Sequence, residues 1–347
     1  MIINISSRTD IPAFYSKWLE NRLEAGFFDV RNPFYPKSVS RIELRDVDAI
    51  MFCTKNPIPL LPMLSKIRIP VLMDVTITPY HREIEPKVPD KNIVIEAVRQ
   101  ISEIIGSENV AVRYDPVFIS DRYSVDYHIR AFEKLCSRLE GAASQITFSF
   151  LDPYKNTLRN KPVLKDREPD DQEKKKLAES FLKIAQRYGI EIFTCNEKNV
   201  LAEYGISDGA CFSQRKAFEM TGKWFPKWKA RECGCVEMAD VGVYNSCPHL
   251  CAYCYANYDE KLVMKNVQAH DPESSMLIGH LHEDDEIRVR KDNARKSPPK
   301  EWTDRQKPKA GRKTARGGES NEDQSARGQK ENEQNSETAA FDQPRLF

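Results

Sequence analysis

Seven short runs rich in Val, Ile and Phe recur at 2–6, 28–31, 49–53, 70–77, 109–115, 145–150 and 191–195. The strongest of them lack apolar–polar alternation, the pattern of strands covered on both faces of a parallel sheet. Between them lie stretches of helical periodicity at 13–25, 91–105, 125–139 and 170–188. Asp170 and Asp171 stand where an N-cap and a first-turn anion belong, and Gly189 where a glycine ends a helix. Repeated β–α units of this size predict an α/β fold, a (β/α) TIM-like barrel, complete or partial. A doubly wound sheet is the alternative. No G-x-G-x-x-G follows the first run, which argues against dinucleotide binding.

The character of the chain changes twice. Residues 1–215 carry the barrel-like pattern. Residues 216–285 are rich in Cys, Trp and Tyr with little periodicity, a loop-rich segment that needs a metal cluster as a staple. Residues 286–347 read as a disordered tail. Hydrophobic content falls from about Arg288, and 288–316 hold twelve Lys/Arg against three Asp/Glu, a net of +9. The whole chain of 347 residues carries only +1, so its overall charge points to no polyanionic partner. No run approaches the roughly 18 apolar residues of a membrane span. The first residues lack the basic, apolar and small-residue order of a secretory signal. These features predict a cytoplasmic protein without membrane association.

Seven of the nine cysteines fall between Cys195 and Cys254. In a long chain of this kind such crowding favours metal binding or redox chemistry over disulfides. Cys247, Cys251 and Cys254 have the spacing C-x3-C-x2-C. Three thiolates on one tight loop can hold three corners of a [4Fe–4S] cubane, leaving the fourth iron open to a substrate or cofactor. The competing reading is a zinc knuckle. Zinc sites usually pair C-x2-C halves with a fourth ligand, and His249 within the loop is badly spaced to be one. Tyr253 precedes the last cysteine, where an aromatic ring can shield a cluster.

This spacing, with the aromatic, resembles the signature of the radical S-adenosylmethionine (SAM) superfamily. The resemblance implies that the open iron chelates the amino and carboxylate groups of SAM, and that electron transfer cleaves SAM to a 5′-deoxyadenosyl radical. In most of that superfamily the motif follows the first barrel strand, whereas here it follows the barrel. The order resembles a family of uncharacterised bacterial proteins that join an N-terminal barrel-like region to a C-terminal radical-SAM-like cysteine cluster. The likeness covers roughly residues 1–285. It rests on Ser7-Arg8-Thr9-Asp10, Cys53-Thr54-Lys55-Asn56-Pro57, Arg113-Tyr114-Asp115-Pro116, Cys233-Gly234-Cys235, the cysteine loop with Tyr255-Ala256-Asn257, and His270-Asp271-Pro272. It implies a fold and a cofactor class, with Tyr253 and Asn257 near the cofactor, and no particular reaction.

Cys195, Cys211, Cys233 and Cys235 are numerous enough to close a second [4Fe–4S] cluster or a zinc site. Cys195 and Cys211 are equally readable as core cysteines. Cys53 and Cys136 read as core residues.

Polar residues cluster at the C-terminal ends of the predicted strands, the rim on which barrel active sites form. The candidate catalytic set is Arg8, Asp10, Lys55, Arg113 and Asp115, with Asn56, Thr78, His81, Asp152 and Glu197 nearby in the pattern. The cations there suit a SAM carboxylate or a substrate phosphate. Structural ion pairs, Arg113–Asp115 or Arg8–Asp10, are the plainer reading.

The chain ends Gln343-Pro344-Arg345-Leu346-Phe347, and Q-x-x-L-F resembles the short motif by which bacterial proteins dock on the sliding clamp of DNA polymerase. Gln343, Leu346 and Phe347 would enter a hydrophobic pocket on a flexible tether, and the basic stretch before them would contact DNA phosphates. The alternative is a solvated tail, or one whose last residues pack back on the domain. Three functions follow as expectations. The first is a radical SAM enzyme served by an external reductant, acting on DNA or nucleotides. The second is a non-catalytic iron–sulfur or redox-sensing protein associated with replication. The third is a radical SAM enzyme that modifies peptide or tRNA.

Overall fold

The computed structural model describes residues 1–229, 233–292, 294 and 297–300. The described residues up to Ser297 form one compact unit. Gln343, Leu346, Phe347 and most of the basic stretch lie outside the described residues.

The strands are β1 (Ile2–Ile5), β2 (Phe27–Arg31), β3 (Ser38–Glu43), β4 (Ala49–Thr54), β5 (Val71–Thr76), β6 (Val110–Arg113), β7 (Gln145–Phe148), β8 (Glu191–Thr194), β9 (Ala239–Asp240) and β10 (Glu286–Val289). The longer helices are α1 (Ser16–Ala25), α2 (Lys91–Ile105), α3 (Val125–Leu139), α4 (Asp171–Arg187), α5 (Gln214–Thr221) and α6 (Glu260–Gln268). Asp170 caps α4 in a reciprocal capping box with Glu173, and Gly189 follows at φ +65°, a conformation that glycine adopts without strain.

Seven strands form one parallel sheet in the order β8-β7-β6-β5-β4-β1-β9. From β1 to β8 each new strand joins the same edge. Side chains alternate between two apolar layers. Ile3, Ile50, Met73, Val112 and Phe148 meet Trp18, Val98, Phe132 and Phe181 of α1 to α4 in the larger core. Ile2, Ala49, Met51 and Leu72 face the other way, onto Phe212, Phe225, Val236 and Met238. Burial on both faces is what the unbroken apolar runs predict.

Three expectations need correction. The sheet is open, because β8 and β9 are its two edges and do not pair with each other, so no closed barrel forms. Nor is it doubly wound, since α1 to α4 all contribute to the core on one face. Finally, the run at 28–31 belongs to a separate three-stranded sheet, β10-β3-β2, whose β10 lies inside the stretch expected to be tail. Strand β10 is four residues long and exposed along its whole length, and its two apolar residues, Ile287 and Val289, are too short an alternation to mark a strand within a charged stretch.

Residues 207–241 span the open seam. Thr194 at the end of β8 exchanges backbone hydrogen bonds with Ser207 and Gly209, Val236 N–H donates to Phe212, and β9 then pairs with β1. Among the described residues no helix is long and apolar enough to cross a membrane.

Candidate functional site

The loop carrying Cys247, Cys251 and Cys254 sits over the C-terminal ends of β1, β4 and β5. Its backbone is tied down on several sides. Ala252 N–H donates to Ile84 O at 2.9 Å, and Asn160 Nδ2 to Ala252 O at 2.7 Å. Asn156 donates to Cys254 O. Tyr15 Oη reaches Ser246 O at 2.5 Å. Asn257 braces the loop from within, donating to Cys247 O at 2.6 Å and accepting from Cys247 N–H at 3.4 Å. Leu250 takes φ +55°, a costly conformation for a branched side chain, in the turn between the first two cysteines. The three thiols are neighbours that feel each other's charge, and burial pushes all three up from their usual range.

His249, inside the loop, points away from them. Its Nε2 lies 2.9 Å from Asp10 Oδ2 and its Nδ1 3.2 Å from Lys87 O, so both ring nitrogens are engaged. Asp10 is a junction: it also accepts from Thr54 Oγ1 at 2.6 Å, Lys55 N–H at 2.7 Å and Ala13 N–H at 3.1 Å. It caps the turn Ile11–Phe14 while joining the ends of β1 and β4 to the cysteine loop.

Beneath the loop lies a buried charge cluster centred on Glu85. Lys55 Nζ donates to it at 2.9 Å and Thr78 Oγ1 at 2.5 Å, and Lys91 Nζ and Tyr253 Oη also donate to it. Burial opposes its charge, but Lys55 and Lys91 together hold its carboxyl well below the usual range. Lys55 lies 5.4 Å from the centroid of the Tyr253 ring, and its charge favours a thiolate at Cys251. Tyr253 is thus buried beneath the loop. Glu85 and Lys91 carried no sequence signal; a buried acid met by two lysines exists only in the folded chain.

Arg113 and Asp115 stand elsewhere in the interior. Arg113 Nη2 donates to Asp115 Oδ2 at 2.6 Å and Nη1 to Cys211 Sγ at 2.7 Å, with Asp74 Oδ2 3.8 Å away. Asp115 also accepts from Ser149. Arg8 pairs with Asp240, its Nε 3.2 Å from Oδ1, and does not pair with Asp10. The rim cations of the sequence pattern are therefore all in ion pairs, and the charge of Asp115 also reaches Lys55. Glu197 accepts from Phe150 N–H, and burial raises its carboxyl to about 7.

The remaining cysteines also meet. Cys195 lies close enough to Cys211, Cys211 to Cys235, and Cys235 to Cys233 for each thiol to influence the ionisation of the next. Cys235 brings Cys233 down to about 6, while Cys211 rises to about 12. Cys136 is buried in the larger core as expected. Cys53 faces the interior and donates to Asn4 Oδ1 at 3.4 Å. Among the described residues no three His, Cys, Asp or Glu side chains close around the position of one metal ion. A cubane spreads its thiolates wider than the ligands of a single ion, because the sulfurs stand outside the iron cube. Three thiols on one loop with no competing ligand from His249 suit it in donor chemistry.

A family model for a domain of unknown function, DUF1848, matches residues 2–256. The chain belongs to the DUF1848 family. The matched span includes all nine cysteines of this DUF1848 protein and ends two residues beyond Cys254. No curated protein matches it. Among solved structures, a radical SAM methyltransferase from Sphaerobacter thermophilus is similar at 18% identity with a TM-score of 0.31. The similarity covers 44% of this chain and 42% of that one, less than half of either. A likeness this slight carries no argument about fold or activity.

Proposed function

We propose that Cys247, Cys251 and Cys254 hold a [4Fe–4S] cluster and that the protein is a radical SAM enzyme. The observation that carries this reading is the turn of His249 toward Asp10. It leaves three thiols on one loop, those of Cys247 and Cys251 buried and that of Cys254 partly so, with no fourth protein ligand from within it, the arrangement that keeps one iron open. With SAM bound, such a cluster supplies one-electron cleavage to a 5′-deoxyadenosyl radical. The chain's own residues do the positioning. Asp10 fixes the loop to the ends of β1 and β4, Asn257 braces its first turn, and Tyr253 is buried with its hydroxyl on Glu85. Lys55 and Lys91 place positive charge under an anionic cluster, offset by a single buried carboxylate.

The test is EPR of anaerobically prepared, dithionite-reduced protein, with and without SAM. A [4Fe–4S]⁺ signal that changes with SAM and disappears in Cys251→Ala supports the reading. A signal indifferent to SAM, or no iron, overturns it; iron without SAM response would favour a structural or redox-sensing cluster. The substrate class rests on the tail alone. Docking of Gln343, Leu346 and Phe347 on the sliding clamp, with the basic stretch on DNA, would make it DNA or a nucleotide; activity that survives loss of the tail would favour peptide or tRNA.

A further inference from the structure

The four cysteines away from the loop come from three places that the fold brings to one point. Cys195 follows the last residue of β8, Cys211 lies on the outgoing part of the segment that spans the open seam, and Cys233 and Cys235 lie on its return. Backbone bonds hold these places in register: Thr194 N–H to Ser207 O at 3.1 Å, Val236 N–H to Phe212 O at 3.0 Å, and Trp228 N–H to Cys235 O at 2.8 Å. Cys211, Cys233 and Cys235 pack with Phe212, Phe225, Val236 and Met238, an apolar wall that shields bound thiolates from water. Arg113 Nη1 donates to Cys211 Sγ at 2.7 Å, treating that sulfur as an acceptor. On the same interior face Asp74, only 2% exposed, has a carboxylate oxygen with no hydrogen-bond partner. Core cysteines are normally dispersed among apolar side chains; four brought together by three segments, three of them in one apolar cluster, are not required by packing.

We propose that Cys195, Cys211, Cys233 and Cys235 form a second metal site, held by four thiolates and separate from the Cys247–Cys254 loop, that staples the seam between β8 and β9. The ligand is a thiophilic centre with four thiolate positions, either Zn²⁺ or a [4Fe–4S] cluster. The four thiols lose their protons on binding. Cys195 from the end of β8 and Cys233 from the returning segment close around the centre. The seam, bridged by the backbone bonds of Ser207, Gly209 and Val236, then gains a covalent-strength link between its two sides.

The experiment measures iron, acid-labile sulfide and zinc in full-length protein prepared without oxygen. Three forms are compared: wild type, the variant Cys247→Ala/Cys251→Ala/Cys254→Ala, and that variant with Cys233→Ser/Cys235→Ser added. The loop variant is expected to retain about one zinc, or about four iron with four sulfide, per chain. The five-site variant is expected to lose it. X-ray absorption at the zinc or iron edge of the loop variant should show sulfur ligands only. A folded loop variant without stoichiometric metal, or one with nitrogen or oxygen ligands, overturns the proposal. So does metal that survives in the five-site variant. If that variant does not fold, the absorption spectrum of the loop variant decides alone. A wild type whose EPR ignores SAM would sink the radical SAM reading and leave this result intact.

Discussion

Asp10 and His249 meet across 239 residues of sequence through a 2.9 Å hydrogen bond. Asp10 simultaneously holds Thr54, Lys55 and Ala13, so one carboxylate sets the height of the cysteine loop above the sheet. Asp10→Ala leaves buried donors unmet and is expected to destabilise the fold by about 2–4 kcal/mol. Urea denaturation measures the loss. A cycle with His249→Ala should show a coupling above about 0.5 kcal/mol; additive losses would mean that the contact does not join the loop to the sheet.

Glu85→Gln should be more damaging than its size suggests. It removes the counter-charge of Lys55 and Lys91, both largely buried, and the expected cost is about 3–5 kcal/mol. Adding Lys91→Met to Glu85→Gln should recover part of that loss, because one unpaired ammonium is then gone. No recovery in thermal or urea unfolding would show that the cluster is held by packing instead.

Lys55 also tests the electrostatics of the proposed cluster. Its ammonium favours negative charge at Cys251, so Lys55→Met should make the cluster harder to reduce. A redox titration followed by EPR should place the midpoint potential of the variant below that of wild type. An unchanged potential would remove Lys55 from the cluster's surroundings.

One buried imidazole should contribute stability that is lost on acidification. Burial pushes His128 down to about 4, and its ring nitrogens meet Tyr114 Oη at 3.0 Å and Phe118 O at 3.0 Å. The unfolded chain binds this proton below about 6.5. Between about 6.5 and 4 the unfolded chain therefore holds more of this proton than the native state, so the His128 contribution to stability rises with pH across that window and is lost as pH falls, against the opposite contributions of Asp74, raised to about 6, and Glu197, raised to about 7. Urea midpoints in His128→Gln should lose about one proton's worth of slope there. A slope equal to wild type would assign the acid sensitivity to other groups.

The tail prediction is independent of the others. Leu346→Ala/Phe347→Ala should abolish retention of the full chain on immobilised bacterial sliding clamp and leave the iron content unchanged. Equal retention of the variant would reject the docking motif.

By itself the sequence determined the α/β character, the extents of α2 and α3, the capped ends of α4, and the cysteine loop. Each is a local property: apolar period, a capping side chain, or ligand spacing within eight residues. The tertiary structure alone decided that the sheet stays open, because closure depends on whether two edge strands meet. It also decided that exposed β10 joins β3, that Arg8 pairs with Asp240, and that Glu85 and Lys91 lie under the loop. The gathering of Cys195, Cys211, Cys233 and Cys235 belongs to the same class. Contacts between residues tens to hundreds of positions apart depend on how the strands are ordered, and one chain's periodicity carries no record of that order.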